Sequence, residues 1–208
     1  MTNGPAGFPA TLEIDFPDRK LDRLTTCFRL LTVIPIGIIL ALVIGPEVRD
    51  SARQYGLGAG GIVFLPTVLI LLFRQKYPRW WFDWNLALIK FSARVSAYLA
   101  LLRDEYPSTD DEQAVHIGLP YPDAARELNR WLPLIKWFLA IPHYIVLGCL
   151  GVAALCCIII AWFAILFTAR YPRSLFDFVV SVFRWGLRVM AYAFLLTTDR
   201  YPPFSLSA

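Results

Sequence analysis

The chain has 208 residues, 57% of them hydrophobic, with 20 Lys+Arg against 16 Asp+Glu and a mean hydropathy of +0.54. Soluble domains hold about 45–50% apolar residues, so the excess points to lipid rather than to a water-surrounded core. A net charge of +4 with no separate basic domain argues against nucleic acid as a partner, and Cys27, Cys149, Cys156 and Cys157, with no CxxC pair and no His at ligand spacing, argue against a disulfide or metal framework.

Residues 1–16 lack a charged n-region and an apolar h-region, so they do not read as a cleavable signal peptide. Two apolar stretches follow, at about 28–45 and 58–73. Each is just long enough to cross roughly 30 Å of hydrocarbon at about 1.5 Å per residue. Pro35 is expected to kink the first. Tyr77-Pro78-Arg79 with Phe82-Asp83 then reads as an elbow. Pro cannot continue a helix, Tyr prefers the headgroup level, Arg faces the cytoplasmic leaflet, and Asp83 is expected to cap the next helix. Trp80, Trp81 and Trp84 add an interfacial aromatic belt. The next segment, about 86–102, carries Lys90 and Arg94 at i,i+4 on one face, with Leu, Phe, Val and Tyr over the rest. Residues 108–116 form an acidic linker.

The remainder repeats this order. From Trp131 to Phe167 the only charge is Lys136, and the stretch is too long for one crossing. Gly148 and Gly151 mark the expected hairpin turn between spans at about 131–148 and 151–167. Tyr171-Pro172-Arg173 with Phe176-Asp177 matches the first elbow at an offset of 94 residues. The register continues: Lys90 maps to Arg184, Phe91 to Trp185, Arg94 to Arg188, Tyr98 to Tyr192. Asp104-x-Tyr106-Pro107 then matches Asp199-x-Tyr201-Pro202 after one inserted residue. Upstream, Arg23, Arg29 and Pro35 align with Arg130, Lys136 and Pro142 at an offset of 107, and residues 47–56 hold most of the 13-residue difference.

These patterns predict an all-α integral membrane protein of two tandem copies, 1–107 and 117–208. Each copy is a transmembrane hairpin followed by a basic amphipathic interfacial helix, at about 86–102 and 178–196. Two cations near mid-bilayer would cost about 2.5–3.5 kcal/mol each, so those last segments are expected to lie on the surface. Four spans with both termini cytoplasmic place 18 of the 20 Lys+Arg inside, only Arg49 and Arg53 remaining outside. The copies would then share one orientation about a pseudo-twofold along the membrane normal.

The run Trp162-Phe163-Ala164-Ile165-Leu166-Phe167-Thr168 through Arg170-Tyr171-Pro172-Arg173, with Phe176-Asp177-Phe178, Arg188-x-x-Ala191-Tyr192 and Asp199-x-Tyr201-Pro202-Pro203-Phe204, resembles the bacterial membrane family known as domain of unknown function 4389. The resemblance runs over nearly the whole chain and is strongest in the second copy; the first departs from it with Arg74-Gln75-Lys76 in place of Thr168-Ala169-Arg170. It implies a membrane protein of the bacterial cytoplasmic membrane and no reaction.

Candidate functional residues follow. Lys90, Arg94, Arg184 and Arg188, with Arg79 and Arg173 at the elbows, suit anionic lipid headgroups or partner membrane proteins. Tyr77, Pro78, Asp83, Tyr171, Pro172 and Asp177 read as structural elbows. His143, directly after Pro142, is the intramembrane polar candidate, although the first copy has Ile36 there. The leading expectation is a non-enzymatic accessory or scaffold protein without a cofactor. A small lipid or solute transporter or channel subunit, with a polar pathway near Pro35 and Pro142, is the alternative. An enzyme acting on lipids through Asp83 or Asp177 ranks third.

Overall fold

The computed structural model describes residues 7–17, 20–44, 59–109, 111 and 113–207. It is mostly helical. In chain order come β1 (Thr11–Ile14), α1 (Arg23–Ile44), α2 (Ala59–Arg74), α3 (Arg79–Leu99), β2 (Val115–Gly118), α4 (Pro133–Leu139), α5 (Ile141–Thr168) and α6 (Arg173–Ala193). The expected insertion at residues 47–56, with Arg49 and Arg53, lies outside the described residues.

The expected turn at Gly148–Gly151 is absent. α5 runs unbroken for 28 residues, about 42 Å at 1.5 Å per residue. Each glycine costs a helix only about 1 kcal/mol relative to Ala, too little to break a run flanked on both sides by apolar helix formers. The spans at 131–148 and 151–167 are therefore replaced by the short α4 and one long helix. α5 is long and apolar enough to cross a membrane, with a mean hydropathy of 2.8 in its most apolar window.

Both prolines act on the turn before them. α1 bends by 56° between its Arg23–Arg29 and Leu31–Leu40 portions, and the break between α4 and α5 precedes Pro142. Proline removes the bond to the carbonyl four residues earlier and its ring presses on that carbonyl, so the hinge opens on that side.

An antiparallel ribbon corrects the all-α expectation. β1 pairs with β2, Leu12 opposite Ile117 and Ile14 opposite Val115. Leu12, Ile14, Val115 and Ile117 are buried, whereas Thr11, Glu13 and His116 point out. This period-2 pattern lasts only four residues per strand, and β2 begins within the expected linker.

The ribbon packs on α3 and α6, and α6 also packs on α5. The elbow ties the start of α6 to the end of α5, while Trp185 of α6 reaches His143 near the start of α5. α6 therefore runs back along α5. The apolar faces expected to lie on a leaflet are in large part covered by protein: Val179, Val180, Val182, Leu187 and Ala191 of α6 join Ala154, Ala161 and Ile165 of α5 and the inner ribbon residues in one core.

Candidate functional site

Two cation–carboxylate pairs, each with a buried cation, organise the described residues. Arg29 of α1 is 3% exposed and pairs with Asp104. Its guanidinium also donates to the carbonyls of Tyr98 at 2.8 Å and Arg103 at 2.7 Å and lies 4.3 Å from the centre of the Tyr98 ring. Lys136 of α4 is fully buried and pairs with Asp199 at 2.6 Å. Its ammonium donates to the Thr198 carbonyl at 2.8 Å and lies 5.2 Å from the Tyr192 ring centre. Burial pushes the Lys136 ammonium down from its ordinary range, and the Asp199 carboxylate pulls it back up. The second oxygen of each carboxylate accepts a backbone N–H at a helix entrance, Asp104 from Asp22 and Asp199 from Asn129. Each cation thus clips the chain leaving an amphipathic helix to the start of the apolar segment before it.

These clamps occupy positions equated by the sequence register. Sequence reasoning saw Arg29 aligned with Lys136 and Asp104 with Asp199 but did not join them. A lone cation inside an apolar segment, with an Asp kept in the same register beyond the following amphipathic segment, is the signal that would have paired them.

The basic faces are largely consumed within the chain. Arg94 is buried and donates to the carbonyls of Ser108 and Thr109. Arg188 is buried and donates to those of Ser205 and Ser207. Arg184 donates to the Leu12 carbonyl of β1 at 3.0 Å, and Lys90 is half-buried. Arg94 and Arg188 therefore hold the segments that follow α3 and α6. Two cations four residues apart look the same in sequence whether they meet phosphates or carbonyls.

At the elbows, Pro78 and Pro172 are the N-cap residues of α3 and α6, with no side-chain cap. Asp83 and Asp177 lie beyond the first turn and are exposed, so neither caps its helix. Proline, already at a helical φ, starts the helix directly after itself and leaves the aspartates too far along to reach the free N–H groups. Arg79 and Arg173 are exposed and lie over the rings of Tyr121 and Phe16. The Tyr77 hydroxyl donates to the Leu195 carbonyl at 2.9 Å, and the buried Tyr171 hydroxyl meets no hydrogen-bond partner among the described residues. Burial pushes both phenols well above their ordinary value.

His143 is fully buried. Its Nδ1 accepts the indole N–H of Trp185 at 3.2 Å, so the ring proton sits on Nε2. The ring stacks on Phe204 at 3.9 Å between centroids. Among the described residues, no three His, Cys, Asp or Glu side chains come together as metal ligands would.

A cavity of about 590 Å³ opens beside these elements, lined by α3, α6, both strands and Leu147 of α5. Among the described residues, fold and site together define a mostly helical protein with a membrane-length apolar helix, α5, and two internal cation–carboxylate clamps. Residues 131–205, roughly a third of the chain, match the model of the family described as domain of unknown function (DUF4389), in a single copy. No curated protein and no solved structure matches the chain.

Proposed function

We propose that this is a non-enzymatic membrane scaffold, built by tandem duplication of one unit, that binds partner membrane proteins or anionic lipid headgroups. The observation that carries the reading is that the ionisable groups in repeated register serve the fold itself. Arg29–Asp104 and Lys136–Asp199 clip the chain, and Arg94 and Arg188 hold the following segments. Duplication is supported by backbone as well as side chains: Gln75 and Ala169 share a left-handed conformation, as do Leu101 and Leu196.

Membrane association is supported by α5. Only 17% of its most apolar window is buried, whereas the core helix of a soluble protein is mostly covered. Ile145, Val152, Leu155, Ile159, Phe163 and Phe167 are exposed. Exposed Arg79 and Arg173, with Trp80 beside the first, supply the headgroup contacts, each cation contributing about 1 kcal/mol near an anionic leaflet. The setting is the bacterial cytoplasmic membrane.

The transporter alternative asks for a polar, water-accessible pathway near Pro35 and Pro142, and unreactive Cys probes at both prolines would discard it. Asp83 and Asp177 are exposed, whereas a carboxylate serving as acid or base works from within a substrate-holding cleft. Extraction of the full chain with its surrounding lipid in polymer discs tests the scaffold reading. Anionic phospholipid should be enriched over the bulk membrane, and enrichment should fall when Arg79 and Arg173 are both changed to Glu. Discs holding bulk-composition lipid and no second membrane protein would overturn it.

A further inference from the structure

We infer that the cavity shared by α3 and α6 is a binding site for one acyl tail of a bilayer phospholipid, an inference that rests on the membrane reading above. Its volume of about 590 Å³ falls within the roughly 300–1,000 Å³ of small-molecule sites. The two helices contribute positions matched at the 94-residue offset: Leu88 with Val182, Ser92 with Gly186, and Ser96 with Met190. One helix face, used twice, builds it.

The lining behaves as hydrocarbon. Among the described residues no charged residue or histidine contributes, and each polar side chain present donates to its own helix one turn back. The Asn85 amide donates to the Trp81 carbonyl at 2.7 Å, Ser92 to Leu88 at 2.8 Å and Ser96 to Ser92 at 2.8 Å. Water needs two to four polar partners and finds few here. A peptide strand needs main-chain partners, and the helical walls, α3 and α6, have theirs committed to their own turns. Left dry, a space of this size forfeits contacts on every wall.

Dimensions select the occupant. From Asn85 to Ser96 the wall extends about 16 Å at about 1.5 Å per residue. One leaflet of a roughly 30 Å hydrocarbon core is about 15 Å deep, the reach of a single tail. Met190 and Phe194 line the cavity and remain exposed, so an apolar side of it meets the surface. Leu147 brings the membrane-length helix into the same lining. A free fatty acid would carry its carboxylate toward walls without a cation, whereas a phospholipid leaves its headgroup outside.

The test uses the full chain in discs of phosphatidylglycerol and phosphatidylethanolamine, with a photoactivatable group midway along one phospholipid tail. Cross-linked peptides are mapped by mass spectrometry. Label is expected on residues 85–96 and 182–195 as well as on the outer face of α5. Ala93→Phe with Gly186→Phe should abolish label on α3 and α6 and leave that on α5 unchanged; a Cβ at Gly186 meets nothing within 4 Å. Gly186→Leu alone, the milder filling, should reduce it. Label confined to α5 would overturn the tail site while sparing the membrane reading, and absence of label from α5 too would overturn both. Labelling by photoactivatable palmitate that excess phospholipid fails to displace would overturn the bilayer source.

Discussion

At the scale of single residues, His143 is explained by its partner. Ile36, at the register position of His143, packs with Phe91, at the register position of Trp185. Where one half has an apolar pair, the other has a donor and an acceptor: indole in place of phenyl, imidazole in place of the aliphatic chain. The alignment of Ile36 with His143 was visible in the sequence, but the pairing was not, because partner identity depends on how α6 folds back. His143→Ile should strand the buried Trp185 N–H and cost about 1–3 kcal/mol. Adding Trp185→Phe should return most of that loss, a coupling readable from denaturant titrations in mild detergent; additive losses would mean that the bond carries no energy. The clamps make a second prediction. Lys136→Met leaves Asp199 unpaired, and because that carboxylate is 22% exposed the cost should sit near 3 kcal/mol, the lower end for a broken buried pair. Lys136→Arg, the residue found in the equivalent clamp, should lose less in the same titration.

Among the elements, the helices were the legible part. Apolar length placed α2 within a residue at each end, whereas α3 and α6 begin at Arg79 and Arg173, directly after the elbow prolines and well before the expected starts at about 86 and 178. Two elements escaped. The ribbon strands are four residues each, too short for a period-2 signal to stand out, and they pair residues 101 positions apart at Ile14 and Val115. The continuity of α5 was hidden by glycines that would serve equally well as a turn. Substitution separates those roles. Gly148 and Gly151 sit mid-helix, and a Cβ at either meets nothing within 4 Å. Ala at each should therefore stabilise the protein by about 0.5–1 kcal/mol, the entropy that a helical glycine gives up. A turn in left-handed conformation would instead be damaged by both changes, so the sign of the shift in thermal unfolding decides.

At the scale of the whole molecule, the placement of α5 follows from what holds its two ends. Near its start, Phe204 stacks on His143 and the Tyr201 hydroxyl donates to the Leu139 carbonyl. At its end, the Leu21 N–H donates to the Ala169 carbonyl and Arg23 to that of Phe167. Non-helical backbone therefore lies against both ends of the helix. Such backbone does not face lipid inside the hydrocarbon, and the opposite side of α5 is exposed and apolar. Cations flank both ends as well, Arg126 and Arg130 before and Arg170 and Arg173 after, and Lys and Arg next to apolar segments favour the cytoplasmic side. We expect α5 to lie along the inner leaflet with its outer face in lipid and both ends on one side, although its length would suffice for a crossing. Single cysteines at the exposed positions Arg126 and Ser174, in a chain whose four native cysteines are changed to Ala, should react with a membrane-impermeant reagent from the same side of sealed vesicles. Reaction from opposite sides would show that α5 crosses, and the body that joins its two ends would then have to be divided by the bilayer.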